Sequence, residues 1–359
     1  MRTEITKKSF DGQHFYIGID VHKKSWKVTI MSEHYEHKSF SQDPDAAILS
    51  NYMHKYFPGG IYHAVYEAGF CGFNICRQLN CLGIDCIVIH PADVPTTRKE
   101  KLQKTDKADS RKLAKTLRAQ SLSAIDIPSR ELEADRALVR QRYRITKDLS
   151  RVKNRVKSLL YQFEIIIPTR FTQAQTRYWS RPYLDWLKSL ELEEPSLKLV
   201  IHNYISEGEK LRQEVLLLNK QIRQLSKEER YKKKYELMIS IPGIGFLTTM
   251  FILTQLGDIS RFKRLDDLCN YVGLVPRMWG SGEKMQTGKM IKRGRKDIKI
   301  MLIEASWIAI RHDPALMHKF NELSVKLHKN KAIVRIARKM LSRIRYVLIN
   351  EQPYCIGVC

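Results

Sequence analysis

Four carboxylates stand where a fold could gather them. Asp20 ends the β-rich run FYIGID and Glu67 ends IYHAVYE. An acid at the C-terminal end of a central strand lies at the sheet edge where α/β proteins bind ligands. Asp106 and Asp109, within KTDKADSRKLAKTL, are three apart, so a helix there projects both from one face. Acids drawn together repel one another unless hard cations lie between them, and Mg²⁺ takes oxygen donors of this kind. Two such ions can clamp the attacking and leaving oxygens of a phosphodiester. Each acid alone has an ordinary reading: Asp20 as a turn cap, Glu67 as a surface charge, the DxxD pair solvated beside its lysines. The order strand-end Asp, strand-end Glu, helical DxxD is what favours a metal centre. His22, just beyond Asp20, reads as a hairpin-turn histidine and is set aside.

The elements that must position these acids alternate along the first third of the chain. HFYIGID and WKVTIM are β-rich runs joined by DVHKKS, a hairpin connection; IYHAVYE and IDCIVIH are further strands, with a helix at NICRQLNCLG between them. A meander that gives way to strand–helix alternation predicts a mixed α/β sheet. The middle changes character. Ile145, Leu149, Val152, Val156, Leu159 and Phe163 form one heptad seam, flanked by Lys147, Arg151, Lys153, Arg155 and Lys157. Ile201, Ile205, Gly208, Leu211, Val215, Leu218, Ile222 and Leu225 form a second, separated from the first by Pro168, Pro182 and Pro195. Two such helices make an antiparallel hairpin or a coiled coil shared with a second protomer. The last third is helical with loops. There SIPGIGFLTTMFIL sets a glycine turn before a helix, either a phosphate-binding turn or a plain helix connector. GLVPRMWGSGEKMQTGKM follows as a loop leading into a dense basic run.

The chain has 359 residues, enough for two or three domains, and 43% hydrophobic content with five tryptophans marks it as folded. Its 63 Lys and Arg against 38 Asp and Glu give a formal net charge of +25, and the usual partner of such an excess is nucleic acid. Neither a signal peptide nor a membrane span is legible, so a soluble, cytoplasmic protein without membrane contact is expected. Cys71, Cys76, Cys81 and Cys86 recur every five residues, which fits no common zinc site; all seven cysteines read as reduced thiols.

The pieces YIGIDVHKKSWKVTI, VYEAGFCGFNICRQL and VIHPADVPTTRKEKLQKTDKADSRKLAKTL resemble the DEDD transposases of the insertion-sequence-110 family, relatives of the Piv invertase. SIPGIGFLTTMFILTQLGDISRF and YVGLVPRMWGSGEKMQTGKMIKRGRKDIKIML extend the resemblance over most of the chain outside the central helices. Ser110, where the family often has Ala, is a small departure. The resemblance implies an α/β plus α fold: a RuvC-like, RNase H-type domain (residues 1–127), a coiled-coil helical region (128–235) and a mainly helical transposase domain (236–359) with a nucleophilic serine. It implies that Asp20, Glu67, Asp106 and Asp109 hold two Mg²⁺ ions, with Mn²⁺ able to substitute, and that Ser281 in Trp279-Gly280-Ser281-Gly282 is the nucleophile. A bare glycine backbone on either side suits the approach of a bulky phosphate. Donor and target DNA, a noncoding bridge RNA, and dimers assembling to a tetramer are the implied partners. Lys284, Lys289, Lys292, Arg293 and Arg295 are candidate phosphate contacts, and Trp279 could stack on a base. Two other classes fit the residues: a RuvC-like junction nuclease using the acids and water, and a non-catalytic nucleic-acid binder.

Overall fold

The computed structural model describes residues 9–95, 105–172, 178–281 and 284–356, and divides into two compact units, Met1–Ile127 and Pro128–Cys359. Asp106 to Leu117 of the acidic stretch are described; its family-like approach, 96–104, lies outside the described residues.

The first unit is built on a five-stranded sheet in the order β3-β2-β1-β4-β5. β1 (His14–Val21), β2 (Trp26–Met31) and β3 (Glu36–Gln42) form an antiparallel meander. β4 (Ile61–Glu67) and β5 (Asp85–Ile89) add on the other side of β1 in parallel. α1 (Ala46–Tyr56) precedes β4, and α2 (Asn74–Cys81) makes the crossover from β4 to β5. Side chains alternate across a strand, so β1 divides its labour. Phe15, Ile17 and Ile19, all fully buried, face a core shared with Leu49 and Met53 of α1 and Leu79 of α2. Tyr16, Gly18 and Asp20 take the opposite face.

That opposite face receives α3 (Asp106–Arg118), whose N-cap Thr105 accepts a hydrogen bond from the Ala108 N–H. Leu113 of α3 is buried with Val65 of β4 and Ile89 of β5, a burial that contributes roughly 1.5–3 kcal/mol for such a side chain. Gly18 sets how closely the helix lies. A Cβ there would come 2.0 Å from the Ser110 carbonyl oxygen and 2.5 Å from the Ala114 nitrogen, so backbone rests on backbone. Ser110 is fully buried at this crossing, its hydroxyl 2.8 Å from that of Thr29 on β2 and 3.2 Å from the Lys107 carbonyl that accepts from it.

In the second unit α4 (Arg130–Gln162) and α6 (Pro195–Leu225) are the long helices, with α5 (Arg181–Lys188) between them in sequence. They run antiparallel. Val139, near the start of α4, is buried with Ile222 and Leu225 at the end of α6, whereas Val152, Val156 and Leu160 are buried with Ile201 and Ile205 near its beginning. Arg142 donates to Asn219 and Arg155 faces Glu207, in the same falling order. The two seams therefore meet within one chain. They are not uniform. Leu160 is buried where the strict heptad points to its neighbour Leu159, which is half-buried; Phe163 is 43% exposed, and Leu211, Val215 and Leu218 are only half-buried. A straight helix drifts against a seven-residue repeat, which moves the buried stripe along one end.

The remainder is α7 (Glu229–Ile239), α8 (Phe246–Leu256), α9 (Leu265–Val272), the antiparallel hairpin β6 (Pro276–Ser281) and β7 (Lys284–Met290), then α10 (Lys296–His312), α11 (Pro314–Lys326) and α12 (Lys329–Asn350). α8 is the centre of this core, buried from Thr249 through Leu256. Arg136 of α4 donates to the Thr254 and Gln255 carbonyls at its C-terminal end, and Arg140 and Arg295 donate to the Gln255 side chain. Arg295, a candidate phosphate contact by sequence, thus joins Arg136 and Arg140 in capping or bracing a helix. The PGIG turn is also a packing device: Gly243, at φ +84°, would put a Cβ 2.3 Å from the Ala305 carbonyl of α10. Where the sequence suggests a loop after Gly273, the chain forms the β6–β7 hairpin.

No described helix is long and apolar enough to cross a membrane. Cys76, Cys86 and Cys269 are buried, Cys71 is half-buried, and Cys81 and Cys355 are exposed, all as free thiols.

Candidate active site

Asp20 reaches the carboxyl edge of the sheet because of strand periodicity. It sits two residues past Gly18 on the α3 face, at its pairing with Lys27 of β2. Since Gly18 lies under Ser110 and Ala114, Asp20 falls beneath the first turn of α3, where both Asp106 and Asp109 reside. Partial positive charge at a helix N-terminus favours carboxylates there. Glu67 arrives by the same logic on the next strand. Ile19 pairs with Tyr66, so Asp20 and Glu67 each lie one residue beyond that pair at the ends of parallel neighbours. Glu67 is exposed.

The closest grouping is Asp20, His22 and Asp106, which bring ligand atoms within 4.8 Å of one another. His22 Nε2 is 3.1 Å from Asp20 Oδ2 and 3.6 Å from Asp106 Oδ2. The ring does sit in the β1–β2 turn, where the His22 N–H donates to the Ser25 carbonyl, yet its imidazole spans both acids. Sequence reasoning set it aside; its proximity to Asp20 along the chain was the available signal, and spacing alone could not show Asp106 arriving from across the fold. Asp109 and Glu67 stand outside the three-residue grouping.

Burial pushes the Asp20 carboxyl above its ordinary range; the nearby His22 opposes this, while the charges of Asp106 and Asp109 add to it. Asp109 thus acts on Asp20 electrostatically from outside the grouping. Crowded acidic oxygens, one of them partly desolvated, fit a hard divalent cation, which would neutralise their repulsion.

Ser281 is the last residue of β6, paired with Lys284 of β7 across residues 282–283, which lie outside the described residues. The side chains of Trp279, Ser281 and Lys284 are likewise outside them. The base of the hairpin is tied to the core: the Ile291 N–H donates to the Val275 carbonyl and the Arg295 N–H to that of Tyr271. Gly273, at φ +82°, and Gly294, at φ +107°, let the two backbones meet there, since a Cβ on Gly273 would lie 2.5 Å from the Arg293 carbonyl. Lys289 and Lys292 are exposed.

Residues 17–165, a span holding all four acids, match a DEDD transposase family of the IS110 type, and residues 235–322, holding Ser281, match the Transposase IS116/IS110/IS902 family. A transposase for insertion sequence element IS1533 from Leptospira borgpetersenii is 26% identical over 94% of this chain and 96% of its own length. A transposase for insertion sequence element IS1111A from Coxiella burnetii is 25% identical over 78% of this chain and 76% of its own. A pilin gene-inverting protein from Moraxella bovis is 30% identical over 33% of this chain and 38% of its own. A DEDD transposase domain implies dependence on a divalent metal, and an acidic cluster is present to hold one. The chain belongs to the IS110 family of transposases, enzymes that cut and rejoin DNA.

Proposed function

We propose that this transposase transfers phosphoryl groups through a transient phosphoserine link between Ser281 and DNA, using a divalent ion held by Asp20, Glu67, Asp106 and Asp109. The observation that carries the reading is the convergence of Asp20, His22 and Asp106 within 4.8 Å, with Asp109 acting on Asp20 from the same helical turn. The sheet order, with a parallel pair added to an antiparallel meander, supports a RuvC-like domain. Mg²⁺, with Mn²⁺ as a substitute, would supply charge neutralisation at the scissile phosphate when bound.

The serine Oγ forms a bond to phosphorus as the P–O bond to the leaving sugar oxygen breaks; the serine proton goes to a base and the leaving oxygen takes up a proton. Rejoining reverses this: a DNA hydroxyl attacks phosphorus, the P–Oγ bond breaks and serine regains its proton. The phosphodiester energy is retained in the protein–DNA link, so ATP is not required. Asp20, Asp106 and Asp109 would supply the negative oxygens that hold the ion, and the His22 ring hydrogen-bonds Asp20 at 3.1 Å while lying 3.6 Å from Asp106 Oδ2.

Donor and target DNA are the substrates, a structured bridge RNA guides their choice, and dimers assemble into a tetramer. The flank of α4 supports a polyanionic guide. Lys147, Arg151 and Arg155 there make ion pairs at least half exposed on the basic side, with Asp297, Asp148 and Glu207, and Lys147 also lies over the Tyr143 ring. Such pairs are weak enough to yield to phosphate.

Strand cleavage by Ser281→Ala and Asp106→Asn tests the reading, with DNA binding measured in parallel. Both variants are expected to bind DNA as the parent does, with cleavage lowered by at least roughly 10²-fold. Undiminished cleavage in Ser281→Ala would point to a water-using nuclease; undiminished cleavage in Asp106→Asn would remove the metal centre.

A further inference from the structure

α11 and α12 form a helical hairpin joined through Leu327 and His328. Between them lies a cleft of about 500 Å³, lined by Leu323, Leu327, Lys319 and Lys326 from α11 and its end and by Arg335 and Lys339 from α12. Glu322 is its single acid, and Lys319 holds both its oxygens at 2.6 and 2.7 Å. Three cations therefore exceed the local negative charge.

Arg338, Arg343 and Arg345 of α12 have structural work. Arg338 pairs with Asp266, Arg343 with the buried Asp313, and Arg345 donates to the Phe262 and Lys263 carbonyls. Among the described residues no carboxylate pairs with Arg335 or Lys339. These two stand one helical turn apart, and Lys319 and Lys326 two turns apart, so each helix carries its charges along one face. Like charges facing across a groove repel, an arrangement that folding alone does not reward and a polyanion does.

We infer that this cleft is a phosphate-backbone site for duplex DNA, remote in sequence from the catalytic residues and reading no base sequence. Guanidinium and ammonium groups beside apolar side chains suit the sugar–phosphate edge, with Arg335 able to take two phosphate oxygens at once. The inference rests on the reading of the chain as a DNA-cutting enzyme, and it adds an anchoring surface outside the reacting centre.

The test is equilibrium binding of the full-length protein to a short duplex of arbitrary sequence across a salt series. It compares the parent with a Lys326→Gln, Arg335→Gln, Lys339→Gln variant. All three side chains are exposed, and a thermal melt checks that the fold is kept. The slope of log affinity against log salt is expected to fall by about 2–3, since each phosphate contact contributes roughly 0.9. A Lys198→Gln, Lys210→Gln, Lys220→Gln variant removes equal charge from exposed positions on α6 and is expected to change the slope by less than about 1. An unchanged slope in the cleft variant, an equal fall in the α6 variant, or a loss confined to duplex RNA would overturn the proposal. In each case cleavage by the parent protein leaves the catalytic reading intact, whereas a parent that binds no DNA contradicts that reading itself.

Discussion

His22 is the residue whose role changes most between chain and fold. As a turn residue it needs no function, but its ring reaches Asp20 at 3.1 Å and Asp106 at 3.6 Å, acids 86 positions apart in the chain. Hydrogen bonds that orient metal-binding carboxylates are commonly worth 10–100-fold in metal affinity. His22→Ala is accordingly expected to raise the Mg²⁺ concentration needed for half-maximal cleavage by roughly tenfold or more, with little change in the saturated rate. A Mg²⁺ titration of cleavage checks this, and an unchanged midpoint with a lost rate would assign the imidazole to the chemistry instead. The four candidate acids stand out in the sequence because strand ends and an i, i+3 pair are local patterns. Which of them come together is not a local property: the separation of Glu67 from the Asp20–Asp106 grouping depends on strand pairing and on the seating of α3.

At the scale of elements, the seating of α3 on β1 decides whether the DxxD turn stands over Asp20. Gly18→Ala puts a methyl carbon 2.0 Å from the Ser110 carbonyl, a backbone atom with no flexible side chain to move aside. The helix must lift, at a cost of roughly 1–3 kcal/mol in stability. Metal-dependent cleavage is expected to drop more than the stability loss alone explains, which parallel denaturant melts and cleavage assays at low temperature would reveal. Activity retained in a stably folded Gly18→Ala protein would mean that α3 need not be held this close. Legibility follows the same physics. β1, β2, β4 and β5 announce themselves through buried β-branched and aromatic residues, whereas β3, EHKSFSQ, is a polar edge strand with no apolar alternation to read. The β6–β7 hairpin hides because its glycines and lysines resemble a loop, and its pairing is set by the fastening of its base to α9.

Across the whole molecule, a formal charge of +25 must coexist with a core that uses some of those cations internally. Asp313 shows how. It is 1% exposed, it caps α11 through the Leu316 N–H, and it accepts from Arg343 and from the Tyr354 hydroxyl. Burial opposes its charge, yet these partners together hold its carboxyl below the ordinary value of 3.8. A depressed folded value means the contribution to stability is present above that ordinary value and lost as pH falls through the folded one. Acid unfolding of the second unit is therefore expected to steepen below about pH 4, and Asp313→Asn to lower stability at neutral pH while flattening that acid limb. Equal acid limbs in parent and variant would contradict this account. The same division of labour explains why net charge reveals a nucleic-acid partner but not which arginines touch it: Arg136, Arg140 and Arg295 brace α8 instead. The central claim concerns a covalent bond. Incubating the protein with its element-end DNA and Mg²⁺, trapping the protein–DNA adduct and mapping it by peptide mass spectrometry tests that claim most directly. The account predicts a nucleotide on Ser281, formed by the parent and abolished by Asp106→Asn; an adduct on any other residue, or cleavage with no adduct at all, would contradict it.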